Sequence, residues 1–349
     1  MSGFDSSSTE KKIHPALEFL FGLLVVPPSV EWQRGLELFN TPKAHSLENF
    51  LEGVQLFVRL ANLNPSERVS HYGHAFMGLH YNNDLAKQWN DAHETRIEPH
   101  DLNFLCPTTW DYESDSESGA RALIYRGANL SRALDQLLQG PTVIDCGMFC
   151  QLGIWFGIKY TLGAELFNQL FGQASFYLTF FCFDPICNVS EPYAGNPLAS
   201  FFDVVSVDST EEMTGLFIEH VRNHKFYQLK HPGGNYAGEN CLVINGRYNI
   251  FDPMLDKHEF SRAEVQTLLL QVFNQKPDWK DKVRVEFYKT LNPSLRHPSG
   301  KAYGELIGLA DELADLMSES IELDPSLECF LKRKMSFSFE RLDAWVRYM

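Results

Sequence analysis

Thr142-Val-Ile-Asp-Cys-Gly-Met-Phe-Cys-Gln-Leu-Gly153 is the stretch on which the fold turns. Asp145 has the short acceptor side chain of a helix N-cap, which puts Cys146 at the first helical position. Beyond it Phe149, Cys150, Ile154 and Tyr160 leave the helix apolar almost all round. A helix greasy on every side is central and buried, yet its N-terminus can face a cleft, where the helix dipole favours a thiolate. Two readings stay open for Cys146: a nucleophile at that mouth, or one of the small buried thiols that most free cysteines are. Cys150 lies one turn deeper and is the weaker nucleophile.

A second stretch, Gly238-Glu-Asn-Cys-Leu-Val-Ile-Asn-Gly-Arg-Tyr-Asn-Ile-Phe-Asp252, reads as a β-hairpin, because Asn245-Gly246 is a strong two-residue turn signal between apolar runs. That turn pairs Ile244 with Arg247, Leu242 with Asn249 and Glu239 with Asp252. Facing carboxylates destabilise a sheet by up to about 1 kcal/mol unless something uses them. In a partly buried site one of the pair keeps its proton near neutral pH, which suits acid–base work; where a ladder ends in water both simply splay outwards. His231, in the Gly-rich loop Lys230-His-Pro-Gly-Gly-Asn-Tyr-Ala-Gly238, is a further candidate base. His220 and His224 stand in a mixed charged stretch that reads as a solvated face.

Around these two stretches the pattern is α+β. Residues 14–105 read as helical, with Leu47, Phe50, Leu51, Val54, Phe57 and Val58 at helical spacing after the N-cap Ser46. The acidic run Asp111-Tyr-Glu-Ser-Asp-Ser-Glu-Ser-Gly119 reads as an exposed loop or boundary. After it come a helix from Ser131 to Gln139, the Cys146 helix, and an amphipathic piece from Ala164 to Phe171. Strands are expected at Phe176 to Cys182, Phe201 to Val207, Lys225 to Leu229 and Val283 to Tyr288. Ser261 with Glu264 forms a capping box before Val265, Leu268, Leu269 and Val272, and Tyr303 to Met317 gives a last helix. The expected organisation is a helical region over residues 1–119 and a catalytic core with C-terminal helices over residues 120–349.

Composition narrows the function classes. With 44% hydrophobic residues and 27 Phe in 349 positions, the chain has the material for a substantial core. A formal net charge of −15, with no block of Lys and Arg, argues against nucleic acid as a partner. The apolar run Leu17 to Val26 falls far short of the roughly 20 residues a bilayer span requires, so no membrane span is expected. Seven cysteines without C-x-x-C pairing fit reduced thiols, hence a cytoplasmic setting or delivery into a host cytosol without a classical signal peptide. His71, His74, His80 and His93 do not complete a tetrahedral set, and no metal or cofactor is expected.

Asp145-Cys146 opening an apolar helix, followed by Gly238-Glu239-Asn240 at a strand start, resembles the bacterial spore-coat type protein-glutamine gamma-glutamyltransferases. These are compact members of the papain-like, NlpC/P60-like superfamily in which a Cys–Glu pair replaces Cys–His. The resemblance spans residues 140–275, including Leu166-Phe-Asn-Gln-Leu-Phe171 and Asn196-Pro-Leu-Ala-Ser-Phe-Phe202. It implies a papain-like core, Cys146 as the nucleophile that forms a thioester with a protein glutamine, and Glu239 as its base. A lysine or other amine acceptor then gives a crosslink, and water gives deamidation. Where the family carries a histidine at the end of the second hairpin strand this chain has Asp252, so Asp252 and His231 join the candidate set. A papain-like protease using Cys146, His231 and Asp252 is the rival expectation, and a non-catalytic papain-like binding scaffold a third.

Overall fold

The computed structural model describes residues 30–62, 69–70, 109–114, 121–139, 142–144, 146–172, 176–179, 197–206, 214–224, 227–231, 236–251, 257–277 and 330–348. Two helices open it, α1 (Val30–Asn40) and α2 (Leu47–Asn62), the second capped by Ser46, whose Oγ accepts the Asn49 N–H at 3.2 Å. Then follow β1 (Val69–Ser70), β2 (Trp110–Ser114), β3 (Arg121–Tyr125), α3 (Leu130–Gln139) and β4 (Thr142–Val143). The apolar run after Asp145 is α4 (Cys146–Phe171), and β5 (Tyr177–Thr179) comes next. A 3₁₀ turn at Pro197–Phe201 leads into β6 (Phe202–Val205), β7 (Leu216–Arg222) and the single-turn α5 (Tyr227–Lys230). The last described elements are β8 (Gly238–Ile244), β9 (Arg247–Asn249), β10 (Glu259–Phe260), α6 (Arg262–Asn274), β11 (Phe330–Phe337) and α7 (Phe339–Tyr348).

The fold is α+β with an antiparallel main sheet, as the pattern predicts. Six strands run in the order β10-β9-β8-β7-β11-β6, every neighbour antiparallel. Three more form the sheet β2-β3-β5, and β1 pairs with β4 in parallel. Period-two alternation gives the main sheet two different faces. Leu216, Ile218, Leu242, Ile244 and Met335 point into the larger core with α4, while Val221, Cys241, Val243 and Tyr248 pack beneath Val265 and Leu269 of α6.

Apolar on all sides, α4 runs through the middle of the larger core. Phe149 stacks on Phe251 at 4.9 Å and meets Phe57 of α2 at 5.2 Å, and Trp155, Phe156 and Ile158 have no exposed surface. Residues of α1 and α2, among them Trp32, Phe39 and Phe50, belong to this same core. The helix breaks at Gly163 (φ 72°, ψ 168°), which separates the two helical pieces read from the sequence. A Cβ there would lie 2.8 Å from the Pro42 nitrogen, so both the backbone angle and the passing α1–α2 connection require glycine.

Hairpin register is as read: Leu242 opposes Asn249 and Ile244 opposes Arg247, with Asn245 (φ 48°) and Gly246 (φ 78°) both left-handed in the turn. The α6 capping box forms with both of its hydrogen bonds. Elsewhere the structure corrects the reading. Residues 111–114 of the expected loop are strand, because buried Trp110 anchors β2 by donating Nε1–H to Ala133 O at 3.1 Å and packing on Tyr125. That pairing of β2 with β3 straddles the boundary expected at residue 119. Within the strand expected at Lys225 to Leu229, residues 227–229 instead belong to one helical turn, closed by His231 N–H on Tyr227 O at 2.7 Å, while 225–226 lie outside the described residues. The expected elements at residues 17–24, 283–288 and 303–317 lie outside the described residues.

Candidate active site

Cys146 is the first residue of α4 and half-buried. Its sulfur accepts a hydrogen bond from Asn240 Nδ2 at 3.3 Å. Asn240 is buried on β8, and its Oδ1 lies 3.0 Å from Nδ1 of His220, the residue directly opposite on β7. With a carbonyl oxygen as partner, Nδ1 carries the hydrogen and Nε2 keeps its lone pair, an assignment made by the hydrogen-bond network. The three side chains thus form a line of thiol, amide and imidazole. One turn deeper, the Cys150 thiol donates to the backbone carbonyl of Asn240 at 3.5 Å.

Neighbouring residues hold this line in place. A Cβ on Gly238 would stand 2.8 Å from His220 Nε2, so the glycine that starts β8 leaves room for the imidazole. Gln151 ties the first turns of α4 to β5, donating Nε2–H to Thr179 O at 3.0 Å and accepting the Thr179 N–H at 3.3 Å. The opening N–H groups of α4 have no acceptor within the helix, which makes them the donors available to a developing oxyanion.

Glu239 is buried, but alternation along β8 turns it to the α6 face, with Cys241 and Val243 and opposite Val221. The structure brings the Asn240 amide to the Cys146 sulfur. Burial pushes the Cys241 thiol well up, and Glu239, Cys146 and Glu219 push it further, so it stays a neutral thiol. His231 is on the α6 side as well, its Nε2–H donating to Phe273 O at 3.1 Å and its ring 5.2 Å from that of Tyr227. Asp252 and the expected cap Asp145 lie outside the described residues, as do His71, His74, His80 and His93.

Buried charge on the α6 face is balanced within the sheet. Tyr248 donates its hydroxyl to Glu219 at 2.6 Å, and Lys334 of β11 approaches the other carboxylate oxygen at 3.8 Å. Burial, reinforced by that hydrogen bond, drives the Tyr248 pKa far up. Sequence reasoning missed Asn240 and His220. Asn240 was legible, since counting back two from Leu242 sets it on the α4 face; His220 was hidden with β7, whose Glu219, His220 and Arg222 obscure the alternation.

Among the described residues no group of three His, Cys, Asp or Glu side chains is arranged to hold a metal, and no helix is long and apolar enough to cross a membrane. No protein-family model, no curated protein and no solved structure matches the chain.

Proposed function

We propose that the chain is a cysteine acyltransferase with a papain-like core, acting on the side-chain carboxamide of protein glutamine. The observation that carries this reading is the half-buried Cys146 thiol at a helix N-terminus, hydrogen-bonded by Asn240, itself bonded to His220. The sulfur attacks the carboxamide carbon, its proton passing by way of a water to His220 Nε2. Asn240 donates to the sulfur as charge builds there, and the first N–H groups of α4 receive the oxyanion. The imidazolium returns the proton to the leaving ammonia, and a thioester remains. A lysine amine then opens it to an isopeptide bond, or water opens it to glutamate. The resemblance implies Glu239 as the base, and this reading assigns that role to His220, which the Asn240 amide links to the thiol.

The amide–imidazole pair beside the thiol also favours a second reading, a papain-like protease, since the same attack on a peptide carbonyl releases an amine. One experiment separates the two. A glutamine-rich protein is incubated with enzyme and a labelled primary amine and analysed by mass spectrometry, beside Cys146→Ala, His220→Ala and Glu239→Gln. Label on glutamine, lost in the first two variants and kept in the third, supports the proposal. Glutamate without label marks a deamidase, and cut peptide bonds with intact glutamines mark the protease. Unchanged substrate, together with a Cys146 that resists iodoacetamide, leaves a binding scaffold.

A further inference from the structure

Between α1 and α3 lies a groove of about 550 Å³, within the size range of small-molecule sites. Its floor is fixed and charged. Asp135 takes the ammonium of Lys159, a residue of α4 with no exposed surface, on Oδ1 and the Asn40 Nδ2–H on Oδ2 at 3.1 Å. Lys159 also donates to Ser131 O at 2.9 Å, and Ser131 Oγ bonds Asn40 Oδ1 at 3.1 Å, so the network clamps three helices around the groove. Burying an ammonium costs several kcal/mol of hydration, and Asp135 and Ser131 O offset only part of it, since burial still holds the Lys159 pKa below its ordinary value.

The walls differ from the floor. Glu37 of α1 and Arg132 of α3 both line the groove, and among the described residues neither makes an ion pair, even with the other. Because Lys159 balances Asp135 in the floor, a simple anion entering meets Glu37 and a simple cation meets Arg132. A ligand that carries both signs satisfies both walls. Gln136 and Gln139 also line the groove and add amide groups, the Gln136 Oε1 already accepting from Thr109 Oγ1 at 2.9 Å.

We propose that this groove binds a small zwitterion of amino-acid or short-peptide type. Its carboxylate lies on the Arg132 guanidinium, whose planar fork fits two oxygens, and its ammonium lies on Glu37 with the Asp135 carboxylate behind. The site is separate from the thiol: Lys159 stands thirteen residues after Cys146, about 20 Å along the helix at 1.5 Å per residue.

The test titrates the full chain with glycylglycine by calorimetry, beside glycylglycinamide, which lacks the carboxylate, and N-acetylglycylglycine, which lacks the ammonium. Glycylglycine binds, and each blocked peptide binds at least about tenfold more weakly, the loss of one charged hydrogen-bonded contact. Arg132→Gln abolishes the preference over glycylglycinamide and Glu37→Gln the preference over N-acetylglycylglycine, while both variants unfold at the wild-type temperature because these side chains are exposed. Cys146→Ala binds like the wild type, which places the site away from the thiol. Absence of glycylglycine binding at millimolar concentration, equal affinity for all three probes, or unchanged binding in the Arg132→Gln, Glu37→Gln double variant overturns the proposal.

Discussion

Asn240 touches two thiols, Cys146 through its side-chain amide and Cys150 through its backbone carbonyl. Replacing it changes what the Cys146 sulfur feels without moving the helix that carries it. Asn240→Asp sets a carboxylate beside the sulfur, so alkylation of Cys146 by iodoacetamide shifts to higher pH than in the wild type. Asn240→Ala removes a donor to the reacting sulfur and lowers kcat by about 100-fold or more, on the scale of a lost oxyanion-hole donor. Glu239→Gln leaves kcat within a few-fold. A titratable carboxylate draws attention in a sequence and an amide does not, which is why Glu239 stood out from Gly238-Glu239-Asn240. The face each residue takes was nonetheless legible, because Leu242 had to point at the core.

Elements were legible where the signal is local and hidden where it depends on distant partners. Asn245-Gly246 carries its own left-handed turn, and Ser261 and Glu264 satisfy each other within one turn of α6. Ser261→Ala accordingly lowers the free energy of unfolding in urea by about 1 kcal/mol. By contrast, Glu219 belongs in a buried strand only because Tyr248 and Lys334 come from β9 and β11, far along the chain. Lys332, Arg333 and Lys334 likewise disguise β11, of which Lys334 is buried. The break in α4 makes its own test. Gly163→Ala meets both an unfavourable φ and the Pro42 backbone, and costs about 1 to 3 kcal/mol of stability by denaturant titration.

At the scale of the molecule, the N-terminal helices, the sheet and α7 are joined by groups that respond to pH. His45, in the α1–α2 connection, lies 3.6 Å from Asp343 of α7 with its ring against Phe339 at 4.9 Å. Burial lowers its pKa below 6.5, Asp343 offsets part of that, and Arg347 adds to it; burial lowers His258 too. For a histidine whose folded pKa is depressed, the unfolded chain protonates first, so stability is full above pH 6.5 and declines below it. The urea midpoint falls as pH drops through that range, and less steeply in His45→Gln. Removing one member of the Lys159–Asp135 pair is harsher: Asp135→Ala strands a buried ammonium and costs about 3 to 5 kcal/mol, whereas Asp135→Leu with Lys159→Met recovers most of the loss. Gly238 shows a different kind of dependence. It contributes no atom to the line of thiol, amide and imidazole, only vacant volume that the His220 ring occupies. A methyl group placed there meets the imidazole at 2.8 Å while the strand keeps its hydrogen bonds, giving a folded protein without the base of the proposed mechanism. One component of the proposed catalytic machinery is therefore an empty space, invisible in any inventory of reactive side chains.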